Sequence, residues 1–252
     1  MFTAYRRPYI RLVADFPDPP VQIRHAATVV VAHDGNDGVE VLMVRRSHKA
    51  VFMGSAHVFP GGAVDEIDNS PLARESIVWS GAPEEFRWRA AALRELFEEA
   101  GVLVGSDAEI DQQCEGVEFY EAVKASGQRL DADALEYIGN WVTPRGAPRR
   151  FNARFFVVAA AGDPVTDDRE VFDAVWVQPI EALAAADRGD WLVEMPTRAI
   201  LEMLSSHATT VDLMTAAAAL EVVQIAPRMK VTDDGSVSFL IPGDPGYDEV
   251  PA

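Results

Sequence analysis

Arg94-Glu95-Leu96-Phe97-Glu98-Glu99-Ala100-Gly101-Val102 is the stretch on which the reading of this chain turns. In a helix, residues three and four apart share a face. Glu95, Glu98 and Glu99 therefore fall together on one side, while Leu93, Leu96, Phe97 and Ala100 fall on the other, where they can be buried. Like charges at this spacing repel by about 0.2–0.5 kcal/mol per pair, so the stripe makes most sense as a seat for cations. Its donors are hard carboxylate oxygens, with no thiolate or imidazole among them, which points to Mg²⁺ or Mn²⁺ rather than zinc. Gly101 follows the last carboxylate and supplies a helix stop. The plain alternative is a solvated acidic face. What outweighs it is Phe59-Pro60-Gly61-Gly62 upstream, a backbone-permissive loop after a short apolar strand. A glycine loop leading into a carboxylate-bearing helix is a cradle for a phosphorylated ligand bridged by metal, with Gly61 and Gly62 at the ligand.

With both segments in view, the motif Arg-Glu-apolar-x-Glu-Glu-x-Gly-apolar behind a glycine loop resembles the box of the Nudix hydrolases, which cleave a nucleoside diphosphate linked to another group. The chain departs from the family pattern in two ways. The acid that follows Gly62 after five residues is Asp68 rather than Glu, and about twenty residues, roughly 69–87, intervene before the helix. Flanking segments resemble the peroxisomal coenzyme A diphosphatase branch. They are Val41-Leu42-Met43-Val44-Arg45-Arg46-Ser47, Phe52-Met53, Ala56-His57-Val58-Phe59-Pro60-Gly61-Gly62, Trp141-Val142-Thr143-Pro144, Arg149-Arg150-Phe151 and Arg154-Phe155-Phe156. Together they span roughly residues 25–205.

The resemblance implies an α/β protein: a Nudix-like α/β/α sandwich with a mixed β-sheet, plus a helical insert and a C-terminal extension. It implies metal-dependent hydrolysis of a diphosphate, with coenzyme A or acyl-coenzyme A cut to 3′,5′-ADP and (acyl-)4′-phosphopantetheine. Two further readings stay open. One keeps the chemistry and changes the ligand to ADP-ribose, NADH or another nucleoside diphosphate or triphosphate. The other is a non-catalytic Nudix-like ligand-binding module. The resemblance also gives roles to residues. Glu95, Glu98 and Glu99 are the metal ligands, with Glu98 also catalytic. Arg94 holds the glycine loop against the helix by pairing with Asp68 or Asp65. A further acid, the general base, comes from the loop before a later strand, where Thr166-Asp167-Asp168-Arg169-Glu170 stands, and Glu170 is favoured because it adjoins the strand.

Composition bounds the partners. The chain has 252 residues and a net charge of −18, which argues against a nucleic-acid surface, since phosphate binding along a strand needs clustered Lys and Arg. An anionic small molecule must then be neutralised locally, and Arg45, Arg46, Arg149, Arg150 and Arg154 are the candidates, since Arg makes forked bonds to phosphate. The single cysteine, Cys114, excludes an intrachain disulfide and fits a reducing compartment. No apolar run is long enough to span a membrane. There is no signal-peptide core and the C-terminal Val250-Pro251-Ala252 carries no peroxisomal address, so the expectation is a cytoplasmic protein. A homodimer is compatible with the sequence.

Along the chain, residues 1–20 read as an N-terminal arm and 21–205 as the Nudix domain, with inserts at about 69–87 and 107–138. Residues 206–252 read as a C-terminal helix and hairpin extension. Residues 23–32 and 39–45 read as strands joined by a turn at Asp34-Gly35 and Asp37-Gly38. The metal helix is placed at about 84–100. The 107–138 segment has helical spacing at Phe119, Val123 and Leu135 and reads as a cap beside the core. Strands follow at 151–160 and 171–177, then helices from Pro179, at 196–204 and at 211–220. A terminal hairpin is placed around Asp233-Asp234-Gly235. His57, at a strand end, reads as packed rather than catalytic, Cys114 as inert, and Trp141 and Phe151 as core aromatics that can also stack on an adenine.

Overall fold

The structure, a computed structural model, describes residues 21–46, 56–159, 171–231 and 237–251. Several sequence expectations lie outside these residues: the arm at 1–20, Ser47 and 52–55, the 166–170 loop with Glu170, and the turn at Asp233-Asp234-Gly235. The side chain of Arg46 is outside them as well.

In chain order the strands and helices are β1 (Ile23–Gly35), β2 (Gly38–Arg46), β3 (His57–Val58), β4 (Gly61–Ala63), α1 (Pro71–Ser76), β5 (Ile77–Val78), α2 (Phe86–Ala100), α3 (Val117–Ala125), β6 (Leu130–Asp131), β7 (Glu136–Val142), β8 (Arg150–Ala159), β9 (Val171–Val177), α4 (Pro179–Arg188), α5 (Met195–Leu204), α6 (Thr210–Ala218), β10 (Gln224–Ile225), β11 (Arg228–Val231) and β12 (Val237–Leu240). They fall into two units. Among the described residues, the larger comprises those within Ala26–Gly139 and Arg154–Val222; the smaller comprises 21–25, Asn140–Ala153 and those from Val223 to 251.

In the larger unit β1 and β2 form an antiparallel hairpin, with Ala32 opposite Val41 and Gly35 opposite Gly38. The beginning of β1 pairs with β4, Thr28 opposite Gly61. β2 pairs with β3 at Val44 and Val58, and with β9 along its length, with an irregularity between Met43 and Arg45. The sheet order is β7-β8-β1-β2-β3. Val29, Val30, Val31 and Ala32 are all buried. Since successive strand residues point to opposite faces, an unbroken buried run means that both faces are covered. On one side, Ala27, Val29, Val31, Leu42, Phe156 and Val158 pack with Leu93, Leu96 and Phe97 of α2 and Phe119 of α3. Elsewhere α4 lies against β2 and packs on α5. The fold is α/β with a mixed sheet between helices.

One expectation needs correction. The 107–138 segment is not a cap beside the core. Only 117–125 of it is an α-helix, Leu135 sits just ahead of β7, and Phe119, Tyr120, Val123, Leu130 and Leu135 are buried in the same cluster as α2. Moreover, β5 from the 69–87 insert pairs in parallel with β6 from this segment, Ile77 beside Leu130, so the two inserts are one folded piece. Asp34 of β1 accepts hydrogen bonds from the Thr210 amide (2.7 Å) and hydroxyl (2.9 Å), which ties α6 to the larger unit.

In the smaller unit β10 pairs in parallel with the end of β7, Ile225 beside Trp141, and β11 and β12 form an antiparallel pair, Arg228 opposite Leu240. Among the described residues no helix is long and apolar enough to cross a membrane.

Candidate active site

The helix that carries the glutamates contains neither Gly nor Pro between Phe86 and Ala100 and ends where expected. Gly101 is left-handed (φ 67°, ψ 12°) and its N–H closes on the Phe97 carbonyl at 2.7 Å, a helix end that glycine adopts without strain. Leu93, Leu96 and Phe97 anchor the apolar side of α2 in the core. This fixes the rotation of the opposite side, where the side chains of Glu95 and Glu98 keep 14% and 15% of their surface exposed.

Arg94 organises that side. It is 3% exposed, and all three guanidinium nitrogens are engaged. Nε donates to Asp68 Oδ1 at 2.8 Å and Nη2 to Asp68 Oδ2 at 3.0 Å. Nη2 also donates to the Ala63 carbonyl of β4 at 2.9 Å, and Nη1 to Glu95 (2.9 Å) and Glu98 (3.0 Å). Asp68, fully buried, is carried in by a 3₁₀ turn at Glu66–Asn69, and its Oδ2 also accepts the Asp65 amide at 2.8 Å. The partner of Arg94 is thus Asp68; Asp65 contributes a backbone amide to the same carboxylate.

The glycine loop meets the helix at two points. The Gly61 amide donates to Glu99 Oε2 at 2.8 Å. A Cβ on Gly61 would lie 2.4 Å from the Ala27 carbonyl oxygen, and one on Gly62 would lie 2.4–2.6 Å from the carboxylate of Glu95. Close approach of backbone requires glycine at 61, whereas at 62 a Cβ would press on a carboxylate of the stripe.

Charge at this place is strained. Burial pushes the Glu95 carboxyl up to about 7, with Arg94 pulling it down and Glu98 adding to the rise. Burial likewise raises Glu98, against Arg94 and the Gly116 amide, which donates to Glu98 Oε1 at 2.8 Å. For Arg94, burial alone would lower the pKa, but the Asp68 bond and the neighbouring carboxylates hold the guanidinium well above its ordinary value. A stack of carboxylates exceeding its one internal cation is the electrostatic setting in which a hard divalent ion binds.

A comparison with known protein families matches residues 23–195 to the NUDIX domain. The chain belongs to the Nudix family. Putative nudix hydrolase 7 of Caenorhabditis elegans is 29% identical over 184 residues, 69% of this chain and 57% of that protein. The acyl-coenzyme A diphosphatases NUDT19 of Xenopus laevis and Gallus gallus are each 27% identical, over 70% and 84% of this chain and 59% and 74% of those proteins. The chain thus spans less than two thirds of the length of the worm and frog relatives. Among solved structures, a NUDIX hydrolase from Alicyclobacillus acidocaldarius superposes with a TM-score of 0.69 at 30% identity, covering 77% of this chain and 96% of that one.

Against the Nudix pattern, the remaining candidates scatter. Arg45 is ion-paired with Asp173, a residue in left-handed conformation (φ 51°) beside the β2–β9 irregularity. Arg154 lies over the rings of Trp88 (4.3 Å) and Tyr137 (5.3 Å), with Glu85 at 3.6 Å. Arg149 is exposed and Arg150 donates to the Thr143 carbonyl at 3.1 Å, both in the smaller unit. His57 is stacked on Trp191, ring centroids 4.0 Å apart, and Trp141 is buried. Cys114 is a free thiol whose pKa is raised, chiefly by burial. Among the described residues no three His, Cys, Asp or Glu side chains close into a ligand shell. Glu95 and Glu98 converge on Arg94 while Glu99 turns to Gly61. The donor chemistry nonetheless fits a hard divalent ion: carboxylates only, on one helical face, with a raised carboxyl among them.

Sequence reasoning missed two residues. Tyr120 donates its hydroxyl to Asp68 at 2.8 Å, and its own pKa is pushed well up, first by burial and then by Asp68. Gly116 supplies the amide to Glu98. Tyr120 is hidden in the apolar periodicity around Phe119 and Val123; the only sequence signal for Gly116 is a glycine placed just before that helix.

Proposed function

We propose that this chain is a metal-dependent diphosphatase that cleaves coenzyme A or acyl-coenzyme A into 3′,5′-ADP and (acyl-)4′-phosphopantetheine. The observation that carries the chemistry is the carboxylate face of α2, fastened to the glycine loop through Arg94 and Asp68. The choice of substrate is supported by the 27% identity to acyl-coenzyme A diphosphatases over most of the chain.

In the reaction, a water oxygen attacks one phosphorus of the diphosphate, the bridging P–O bond breaks, and the departing phosphate leaves with the bridging oxygen. The water's proton passes to a base. Glu95, Glu98 and Glu99 would hold Mg²⁺ or Mn²⁺, which when bound neutralises diphosphate charge and acidifies water. Arg94 orients Glu95 and Glu98 and ties them to the carbonyl of Ala63, next to the Gly61-Gly62 cradle. We assign the proton to Glu170, which immediately precedes β9. Two of the candidates Arg45, Arg46, Arg149, Arg150 and Arg154 are proposed to meet the substrate's phosphates. A cytoplasmic location belongs to the same proposal.

The test is turnover with Mg²⁺ on coenzyme A, an acyl-coenzyme A, ADP-ribose, NADH and a diadenosine polyphosphate. Coenzyme A substrates should give the highest kcat/KM. Dephospho-coenzyme A should be about tenfold poorer, the cost of one missing hydrogen bond to a charged group. A preference for ADP-ribose would transfer the assignment to a different Nudix diphosphatase. Ligand binding without turnover on any of them would make the chain a sensing module.

A further inference from the structure

We propose that Tyr120 is a positioning residue of the carboxylate face: its hydroxyl locks Asp68, and Asp68 in turn sets the Arg94 guanidinium against which Glu95 and Glu98 rest. The inference builds on the diphosphatase reading and adds to it a residue outside the Nudix box.

The first ground is burial without a packing need for the oxygen. Tyr120 is fully buried, its ring lies 5.1 Å from that of Phe119, and phenylalanine would fill the same apolar space. Its hydroxyl has two acceptors within reach, Asp68 Oδ1 at 2.8 Å and the Ala90 carbonyl at 3.1 Å. It has one proton to give. The shorter bond to the charged acceptor takes it, because charge-assisted bonds are the stronger ones.

The second ground is saturation of Asp68. Oδ1 accepts Arg94 Nε and the Tyr120 hydroxyl; Oδ2 accepts Arg94 Nη2 and the Asp65 amide. A carboxylate offers about four lone-pair sites, so all are used and the group has one orientation. Removing the hydroxyl leaves one buried Oδ1 lone pair unsatisfied, so the carboxylate, still gripped by Arg94 and the Asp65 amide, can swing slightly toward a new partner and take the guanidinium with it. Arg94 Nη1 serves both Glu95 and Glu98, so a swing at Asp68 moves two carboxylates of the stripe together.

The third ground is that α3 grips the site twice. One turn before Tyr120, the Gly116 amide holds Glu98. α3 is packed in the core here, with Phe119, Tyr120 and Val123 all buried. The piece formed by the inserts thus reaches Asp68 and Glu98 from outside the box.

Tyr120→Phe, compared with wild type, decides the matter with two readouts. One is steady-state hydrolysis of coenzyme A with Mg²⁺. The other is Mn²⁺ affinity without substrate, read from the paramagnetic resonance of free Mn²⁺. The expected result is a kcat about tenfold lower with KM within about twofold, together with a several-fold weaker Mn²⁺ affinity. Phe119→Leu perturbs the same cluster without touching Asp68, and should lower Tm while leaving kcat and Mn²⁺ affinity at wild-type values. Wild-type kcat and Mn²⁺ affinity in folded Tyr120→Phe would overturn the proposal. Should that variant fail to fold, 3-fluorotyrosine placed at position 120, which keeps the ring and makes the hydroxyl a stronger donor to Asp68, is read the same way, and unchanged kcat and Mn²⁺ affinity there overturn it equally. If wild type itself is inert on coenzyme A, the diphosphatase reading fails while the Mn²⁺ comparison still decides the role of Tyr120.

Discussion

Asp68 grips Arg94 with both carboxylate oxygens, 2.8 Å from Nε and 3.0 Å from Nη2, and both side chains are out of solvent. A buried pair of this kind adds little over an apolar pair of the same shape, but breaking it strands a charge. Its value here is geometric, because the same guanidinium touches β4, Glu95 and Glu98. Asp68→Ala should therefore cost about 3–5 kcal/mol in chemical denaturation. A loss below about 1 kcal/mol, the scale of an exposed pair, would mean that the pair is not buried as described.

The two glycines of the loop should respond differently to alanine. Gly61→Ala brings a Cβ against backbone atoms of Ala27 and Thr28, which cannot yield, so Tm should fall. Gly62→Ala meets only the carboxylate end of Glu95. That end can move, so the fold should survive while turnover drops by about tenfold or more, the scale of removing one hydrogen bond to a charged group. Thermal melts and kcat on both variants check the contrast.

Glu98→Gln keeps the size of the side chain and removes one carboxylate charge. Turnover should fall by about a hundredfold or more, comparable with removing a major charge stabiliser, with circular dichroism unchanged. Excess EDTA should abolish wild-type activity. Full activity after metal removal would end the metal assignment.

The raised Glu95 carboxyl makes the metal-free protein pH-sensitive in a definite direction. A carboxyl whose folded pKa is about 7, above its ordinary value, contributes stability that is present at low pH and is lost as pH rises through 7. In chelator, wild type should lose stability relative to Glu95→Gln between roughly pH 4.5 and 7, at no more than about 1.4 kcal/mol per pH unit. Mn²⁺ affinity should rise across the same window, since the ligand must be deprotonated. Parallel stability curves for the two proteins would contradict the shift.

Glu170→Gln tests the proposed base. If Glu170 accepts the proton, kcat should fall by about 10²–10⁴-fold with little change in KM or Tm. A variant that keeps about half of wild-type kcat would move the search to Asp168 and the acids of 107–138.

The sequence by itself determined the local parts of this protein. The periodicity of 94–102 placed Glu95, Glu98 and Glu99 on one face of α2, and Gly101 marked its end. The β1–β2 hairpin, the strands at β8 and β9 and the helix from Pro179 were likewise legible, because each depends on neighbours within a turn or a pleat. Tertiary structure alone decided the rest. It chose Asp68 over Asp65 for Arg94, across 26 residues. It brought the Gly61 amide to Glu99 across 38 residues and the Tyr120 hydroxyl to Asp68 across 52. It also joined β5 to β6, turning two apparent inserts into one piece of the core. Periodicity reports which face of an element is apolar; it carries no information on what meets that face from a distant part of the chain. Tyr120 shows the consequence: its position reads as core and its ring is core, while the one oxygen that matters is defined only by the carboxylate folded against it.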